Sequence, residues 1–527
     1  MTQARSTFQP HHRNSTYAVV SFHSFEPELG TLVASGVPKD RMFKGSTHVQ
    51  GLSRAETRTI VGDVIACSTQ SQFAGGQWSV KLKGVAYGLP HTAGRAWPDL
   101  IVDGDWVIID FLKNGQKQNA IIGRVDNLNV HAAAASTGAT DITVTITGRD
   151  ATAAVQDTPL YFNPYDPLHN NVAGVAMADM FGDSLAGQPH DIIPRLLVDG
   201  TKTGVNYGHP PLVPPGIFDP FNTTPWTKGI DATSRVSSVR GTMFAPSILT
   251  PGHTQRLWEF TKQWQNPAFN ELWLDSDPDD VGDPRTVYLH FRERPFVNSA
   301  QGLDSPWFQL ANHPIDLSTV QSISLSRGRN RMNHIQVIGA VSSLFGGDSF
   351  PVFPPAYNIE SIKRWGLRKE QFSSPYLSDD AGNGGGASNF RDEVIDWRDL
   401  IVSWNALNAR YWFGTITLAE LRAEIRVGQK VQLLNGPIAG YEAFPHDSGD
   451  ISIPDGLTFY VEATQNQWTA GVNPLARTQL TLSRGYVEGD RVPHLRRELE
   501  NWTTTDTVIA SEITGIREYP KPVEQVD

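Results

Sequence analysis

The sequence predicts a mainly β chain with α+β insertions: two similar β-domains, each a barrel or curled sheet, plus a helix–hairpin middle domain and irregular insertions. Three observations carry this. The 46 glycines and 35 prolines among 527 residues punctuate many short alternating apolar runs. Hairpin signals flank those runs, the clearest being Asn114-Gly115 between DWVIIDF and AIIGRV. Two distant stretches, 104–150 and 428–485, also echo each other. A chain of this length exceeds a single core and predicts about three or four domains.

Composition narrows the function classes. The net charge of −11 is dispersed, with no basic block, so there is no nucleic-acid footprint. No apolar run reaches the ~18 residues of a membrane span. The start, MTQARSTFQPHHRNS, lacks the apolar core of a signal peptide. A lone cysteine, Cys67, excludes an intramolecular disulfide framework and fits assembly in a reducing cytoplasm.

In chain order, 1–55 reads as an N-terminal arm with one strand-like run, Tyr17 to Phe22. Its adjacent His11 and His12 point apart and have no third ligand near in sequence, so a metal site is disfavoured. Residues 56–158 form the first β-domain, with strands over Thr59–Ala66, Gln77–Leu82, Asp105–Phe111, Ala120–Val125 and Asp141–Asp150. The Pro-, Asn- and Gly-rich 159–238 is an irregular insertion, a kind of stretch often used for contacts.

Residues 239–305 are the helix–hairpin middle domain. Thr250 and Pro251 start a helix with Leu257, Phe260, Thr261 and Trp264 on one stripe, and Pro267 ends it. Period-two strands follow on both sides of an acidic turn, DSDPDDVGD. Asp275, Asp277 and Asp279 sit at calcium-loop spacing, but Asp280 stands where the loop needs glycine and Thr286 where it needs glutamate. A solvated hairpin turn is the better reading.

Residues 306–345 and 425–490 make the second β-domain. Ser322–Ser326 and His334–Ile338 are strands around the basic turn RGRNR, where Arg327, Arg329 and Arg331 read as a solvated tip or protein contact. The insertion 346–424 holds a glycine-rich loop, 378–389, and a helix from Asp392 to Asn408 with Val394, Trp397, Ile401 and Trp404 on one stripe. Residues 491–527 read as a C-terminal tail beginning with a short charged helix.

The echo has a definite form. Gly104 precedes DWVII, then IIGRV, then TVTITGRD; Gly428 precedes QKVQL, then FYVEATQNQW, then TQLTLSRG. Each copy is a strand after glycine, a second strand, a variable loop and a closing strand ending in Arg beside Gly.

These segments, with NPAFNELWLD, VYLHFRERPF, ISLSRGRNRMNHIQV and GTITLAELRAEIRVGQKVQLL, resemble the baseplate hub proteins of tailed bacteriophages, over most of residues 100–490. The resemblance implies two tube-like β-domains per chain and a homotrimer that presents six of them. Such a ring adapts a hexameric tail tube to a trimeric central spike and forms part of the DNA conduit. Implied partners are the tail tube protein, the central spike protein, other baseplate proteins and the tape-measure protein, with genomic DNA only in transit. The implied location is the virion tail baseplate, assembled in the host cytoplasm.

Two alternative functions are a tail-tip peptidoglycan hydrolase and a hub-like component of a contractile secretion or injection system. The chain holds no HExxH, GxSxG or Walker loop, and with 55 acidic residues a carboxylate pair carries no information. The expectation is therefore a non-enzymatic protein with no catalytic, cofactor or metal residues. A secretion-system relative is expected to carry its spike on the same polypeptide, for which little chain follows the second β-domain.

Overall fold

The computed structural model describes residues 16–23, 49–52, 64–84, 96–134 except 100 and 102, 140–157, 230–236, part of 256–296, 306–327, 332–339, 355–374, 398–405, 411–434, 456–470, 475–487 and 516–518. His11, His12, Arg329, Arg331 and the helices expected near 192–197 and 494–502 lie outside these residues.

The first strands are β1 (Thr16–His23), β2 (Val49–Leu52), β3 (Val64–Gln72), β4 (Gln77–Lys83), β5 (Trp106–Lys113), β6 (Gln116–Ala134) and β7 (Thr140–Asp150). The short helix α1 (Thr152–Gln156) follows. Next come β8 (Ile230–Val236), β9 (Asn270–Ser276), β10 (Arg285–Glu293), helix α2 (Pro306–Gln309), β11 (Asn312–Asp316), β12 (Val320–Arg327) and β13 (His334–Gly339). The remainder are β14 (Ala356–Asn358), helix α3 (Ile359–Trp365), β15 (Lys369–Ser374), β16 (Trp412–Leu418), β17 (Lys430–Leu434), β18 (Leu457–Thr469), β19 (Leu475–Val487) and β20 (Ile516–Glu518).

The mainly β expectation holds. One thirteen-stranded sheet dominates, in the order β12-β16-β19-β18-β3-β4-β7-β6-β5-β1-β2, with β17 on β18 and β11 on β17. It consists of two six-stranded curls, β1-β5-β6-β7-β4-β3 and β11-β17-β18-β19-β16-β12, with β2 added on the edge of β1. Neither closes into a barrel by its ladders. The first curl bends far enough that the Trp468 indole on β18 donates to the Thr16 carbonyl on β1 at 2.8 Å.

The two curls correspond in detail. Gly104 and Gly428 both have positive φ, +88° and +80°, which glycine adopts without steric cost. Gly104 N–H donates to the Val125 carbonyl while Val125 N–H donates to Asp105; Gly428 and Gln429 make the same pair of bonds with Val461. Bulges also recur, between Val125 and Asn127 on β6 and between Val461 and Ala463 on β18. A second pair of bulges falls between Val64 and Ala66 on β3 and between Val320 and Ser322 on β12. One difference stands out: β1 is antiparallel to β5, whereas β11 is parallel to β17.

Several strand expectations need correction. The strand set at Thr59–Ala66 runs Val64–Gln72 instead, because STQSQ keeps strand alternation with hydroxyl and amide groups where the reading sought apolar ones. The strand set at Ala120–Val125 is nineteen residues long. Its extension through HAAA has no Gly or Pro to stop it. Ser322–Ser326 and His334–Ile338 are both strands but do not pair with each other. β12 joins β16, while β13 lies parallel to β15 in a second sheet, β15-β13-β14-β20.

Strands also come from stretches read as arm and insertion: β1 pairs with β5 along all eight residues, and β16 lies between β12 and β19. The middle hairpin is β9 and β10, with β8 added parallel to β10. Of the helix expected after Pro251, Trp258, Glu259 and Lys262 are described and helical, with Trp258 buried. The helix expected at Asp392–Asn408 is described at 398–405, where Ile401 and Trp404 are buried as the stripe required.

Alternation divides the sheet faces. Val80, Leu82, Val107, Ile109, Phe111, Val144 and Ile146 fill the first curl, joined by Trp468 from the second. Ile315, Ile416, Leu418, Val431, Phe459, Val461, Leu480 and Leu482 fill the second. Each such side chain contributes about 1.5–3 kcal/mol on burial. Gly148 sits where β7 crosses Trp78, and a Cβ there would fall 1.8 Å from the Arg124 carbonyl oxygen. Gly148→Ala is therefore expected to destabilise the chain by about 2–4 kcal/mol, read as a lower urea midpoint; an unchanged midpoint would refute the close packing.

Candidate functional site

The middle hairpin is anchored to both curls by two buried polar knots. On the first-curl side, the β5–β6 ladder is irregular between Ile109 and Asp110, which turns Asn119 inward. Asn119 is fully buried and donates through Nδ2 to Asp110 Oδ1 at 2.8 Å. Its Oδ1 accepts from the Ser276 hydroxyl at the end of β9, and its N–H donates to the Pro278 carbonyl in the acidic turn. Arg426, from the loop before β17, donates to the carbonyls of Asn119 and Ala120, each at 2.6 Å. The same guanidinium lies 3.5 Å from Asp275. One side chain of the second half thus ties together the hairpin and the first curl.

The second knot faces β18. Tyr460 is fully buried and donates to Glu271 Oε2 at 2.6 Å. Arg292 donates to the same carboxylate at 3.1 Å, to the Tyr460 oxygen at 3.0 Å and to the Gly428 carbonyl at 2.7 Å. Burial works against the Arg292 charge, yet Tyr460 and Glu271 together hold its pKa above the ordinary guanidinium value. Burial, reinforced by the Glu271 carboxylate, pushes Tyr460 well above the usual phenol range, so it stays a donor. The Arg292 guanidinium also stacks 4.9 Å above Trp273, whose other neighbours are His290 at 4.6 Å and Phe73 at 5.2 Å.

A third cation, Arg484, lies 3.5 Å over the Phe296 ring and donates to the Trp404 carbonyl at 2.6 Å. Burial lowers its pKa to about 10. It links the hairpin's exit, the helix at 398–405 and β19.

The outer face of the main sheet is different in kind. Ser322, Thr417, Gln479, Gln465, Gln70, Gln77 and Arg149 form one register row across seven strands. The next row, Arg477, Gln467, Ser68, Ser79 and Thr147, runs beside it. Ser68, Gln70, Gln77, Thr147, Arg149, Asp126 and Gln465 line a groove of about 380 Å³ on this face. Its cation is neutralised locally, since Arg149 pairs with Asp126 at 2.8 Å and with Asp157. The groove therefore offers amides and hydroxyls, while elsewhere on the face Arg477 donates to the neutral Gln467 and Lys81 and Lys83 of β4 are exposed.

The acidic turn spends its carboxylates on its own backbone. Asp277 accepts from Asp279 N–H at 3.0 Å and Asp280 from Thr286 N–H at 2.7 Å, while Asp275 faces Arg426. Among the described residues no group of three or more His, Cys, Asp or Glu could hold a metal ion. Arg327 ends β12. Cys67 is buried opposite Trp468 and burial raises its pKa, so it is a core thiol. Sequence reasoning missed Asn119, Glu271, Arg292, Arg426 and Tyr460; polar residues inside apolar strand patterns were the available signal.

No protein-family model matches the chain, and no curated protein matches its sequence. Solved structures similar to this chain include the tail protein from Neisseria meningitidis MC58, at 11% identity and a TM-score of 0.39, covering 80% of this chain and 93% of that one. The 43 kDa tail protein of prophage MuSo2 from Shewanella oneidensis has 9% identity and a TM-score of 0.40, covering 80% and 94%. The E. coli c3393 protein, a component of the type VI secretion system, has 6% identity and a TM-score of 0.33, covering 82% and 76%.

Two measurements test the knots. Tyr460→Phe leaves Glu271 and Arg292 short of a buried partner and is expected to cost about 1.5–3 kcal/mol in urea unfolding; a cost under about 0.5 kcal/mol would remove the knot from the stability argument. The second concerns Asp150, whose carboxylate accepts from the Gly76 and Thr152 amides. Burial nonetheless pushes its pKa up to about 7, above the ordinary unfolded value of about 3.9. The folded state then holds the proton more tightly. Asp150's contribution is complete below pH ~4 and is lost as pH rises through about 7. The stability difference between wild type and Asp150→Asn should fall over that window, and a flat difference would contradict it.

Proposed function

We propose that this chain is a structural baseplate hub of a phage-tail-type machine: a trimeric ring that adapts a hexameric tube to a trimeric spike and forms part of the DNA conduit. The observation that carries the reading is the duplication. Two six-stranded curls with matching bulges and matching glycine turns lie edge to edge in one sheet. A chain that repeats one unit twice lets three copies meet sixfold symmetry on one side and threefold symmetry on the other. The resemblance of residues 100–490 to baseplate hubs supports the same reading, with tube, spike, other baseplate and tape-measure proteins as partners.

In this role the protein works by shape and rigidity, without catalysis or cofactor. The hairpin, held by Arg426 and by the Glu271–Arg292–Tyr460 knot, fixes the angle between the two curls. Among the described residues no helix is long and apolar enough to cross a membrane.

Native mass measurement with electron imaging of the purified full chain tests this. A trimer with a central channel is the expected result. A stable monomer that clears peptidoglycan would replace the hub with a hydrolase.

A further inference from the structure

One edge of the duplicated sheet is filled in one copy of the repeat and, among the described residues, open in the other. On β18, residues 457–460 pair with β17, and after the bulge residues 463–469 take β3 on that same edge. On β6, residues 116–124 pair with β5 in the corresponding way. Beyond Val125 that edge continues to Ala134, and among the described residues no strand lies along it. Conversely, β3 has a strand on each side, whereas among the described residues its counterpart β12 ends the sheet with only β16 beside it. The strand that β6 lacks and the edge that β12 lacks are the two halves of the junction already formed between β18 and β3.

We propose that copies of this chain join head to tail by repeating that junction, β12 of one copy lying antiparallel along residues 126–134 of β6 in the next. The matched turns and bulges set the register. Val125 corresponds to Val461, so Val130 and Ala132 correspond to Asn466 and Trp468. Val80 on β4 and Ile416 on β16 hold equivalent places, so Cys67 and Thr69 correspond to Ile323 and Leu325. Within the chain Asn466 faces Thr69 and Trp468 faces Cys67. Between copies, Val130 therefore faces Leu325 and Ala132 faces Ile323.

The chemistry of both edges fits this occupant. Val130 is 54% exposed and Ile142, opposite Ala132 on β7, is 42% exposed, apolar groups on the face that is core elsewhere in the curl. Ile323 and Leu325 are half-buried against the second core. Pairing covers apolar with apolar and gives both open edges their backbone partners. On the other face Asn129 and His131 meet Ser326 and Ser324, which extends the hydroxyl and amide rows from one copy to the next. A head-to-tail contact of this kind closes into a ring when its rotation allows. In three copies it supplies three junctions between chains to match three within them.

The pairing rests on the ring reading, and one experiment separates their failures. The full chain carrying Val130→Cys with Leu325→Cys is mildly oxidised, run on a non-reducing gel and weighed natively. Crosslinked dimers and trimers are expected, absent from either single variant, with Ala132→Cys/Ile323→Cys giving the same bands. A native trimer that does not crosslink would overturn this pairing and leave the ring standing; a monomer would overturn both. Because Val130 is exposed in the single chain, Val130→Lys should fold normally yet weaken assembly about tenfold or more; unchanged assembly would also refute the contact.

Discussion

The structure depends on a change of partner along one strand. β18 cannot leave half of its backbone edge bare inside the molecule, because each unpaired buried N–H or C=O costs about as much as a lost hydrogen bond. It pairs first with β17 and then, past the bulge at Val461/Ala463, with β3. The bulge turns the strand away from one curl and presents it to the other. That switch makes one continuous sheet out of two curls.

A shared strand alone leaves the angle between curls soft, since a twisted sheet can flex about it. The hairpin β9–β10 supplies the stiffness. Arg426 places two charge-assisted bonds on β6 carbonyls while facing Asp275 of the hairpin, and Arg292 bonds to Glu271, Tyr460 and Gly428. Buried polar groups of this kind are costly unless every member is satisfied, and that cost disfavours alternative arrangements of the same pieces. Gly428 serves both purposes: its positive φ makes the turn, and a side chain there would collide with Arg292.

The two sheet faces show how one alternation yields two functions. Inward positions carry the Val, Ile, Leu and aromatic groups of the cores, while outward positions carry Ser, Thr, Gln, the paired Arg149, Arg477 and the exposed Lys81 and Lys83. The outer rows cross the β18–β3 junction without a break, from Ser322 to Arg149.

The sequence by itself determined the class of the fold, because period-two alternation and Asn-Gly or lone-Gly turns are local signals. Gly104 and Gly428 marked the repeat, since only a left-handed turn needs glycine there. It also carried the middle hairpin, and it argued against a calcium reading of the acidic turn through Asp280 and Thr286. What it could not carry was pairing over long separations. That β1 lies against β5, that β12 and β13 part into different sheets, and that β3 joins β18 some 400 residues away are choices among chemically similar strands. Those choices are made by core packing and edge satisfaction, which exist only once the chain has folded. The knots belong to that second class: Asn119, Glu271, Arg292, Arg426 and Tyr460 are ordinary polar residues in sequence and become a set only when three segments meet.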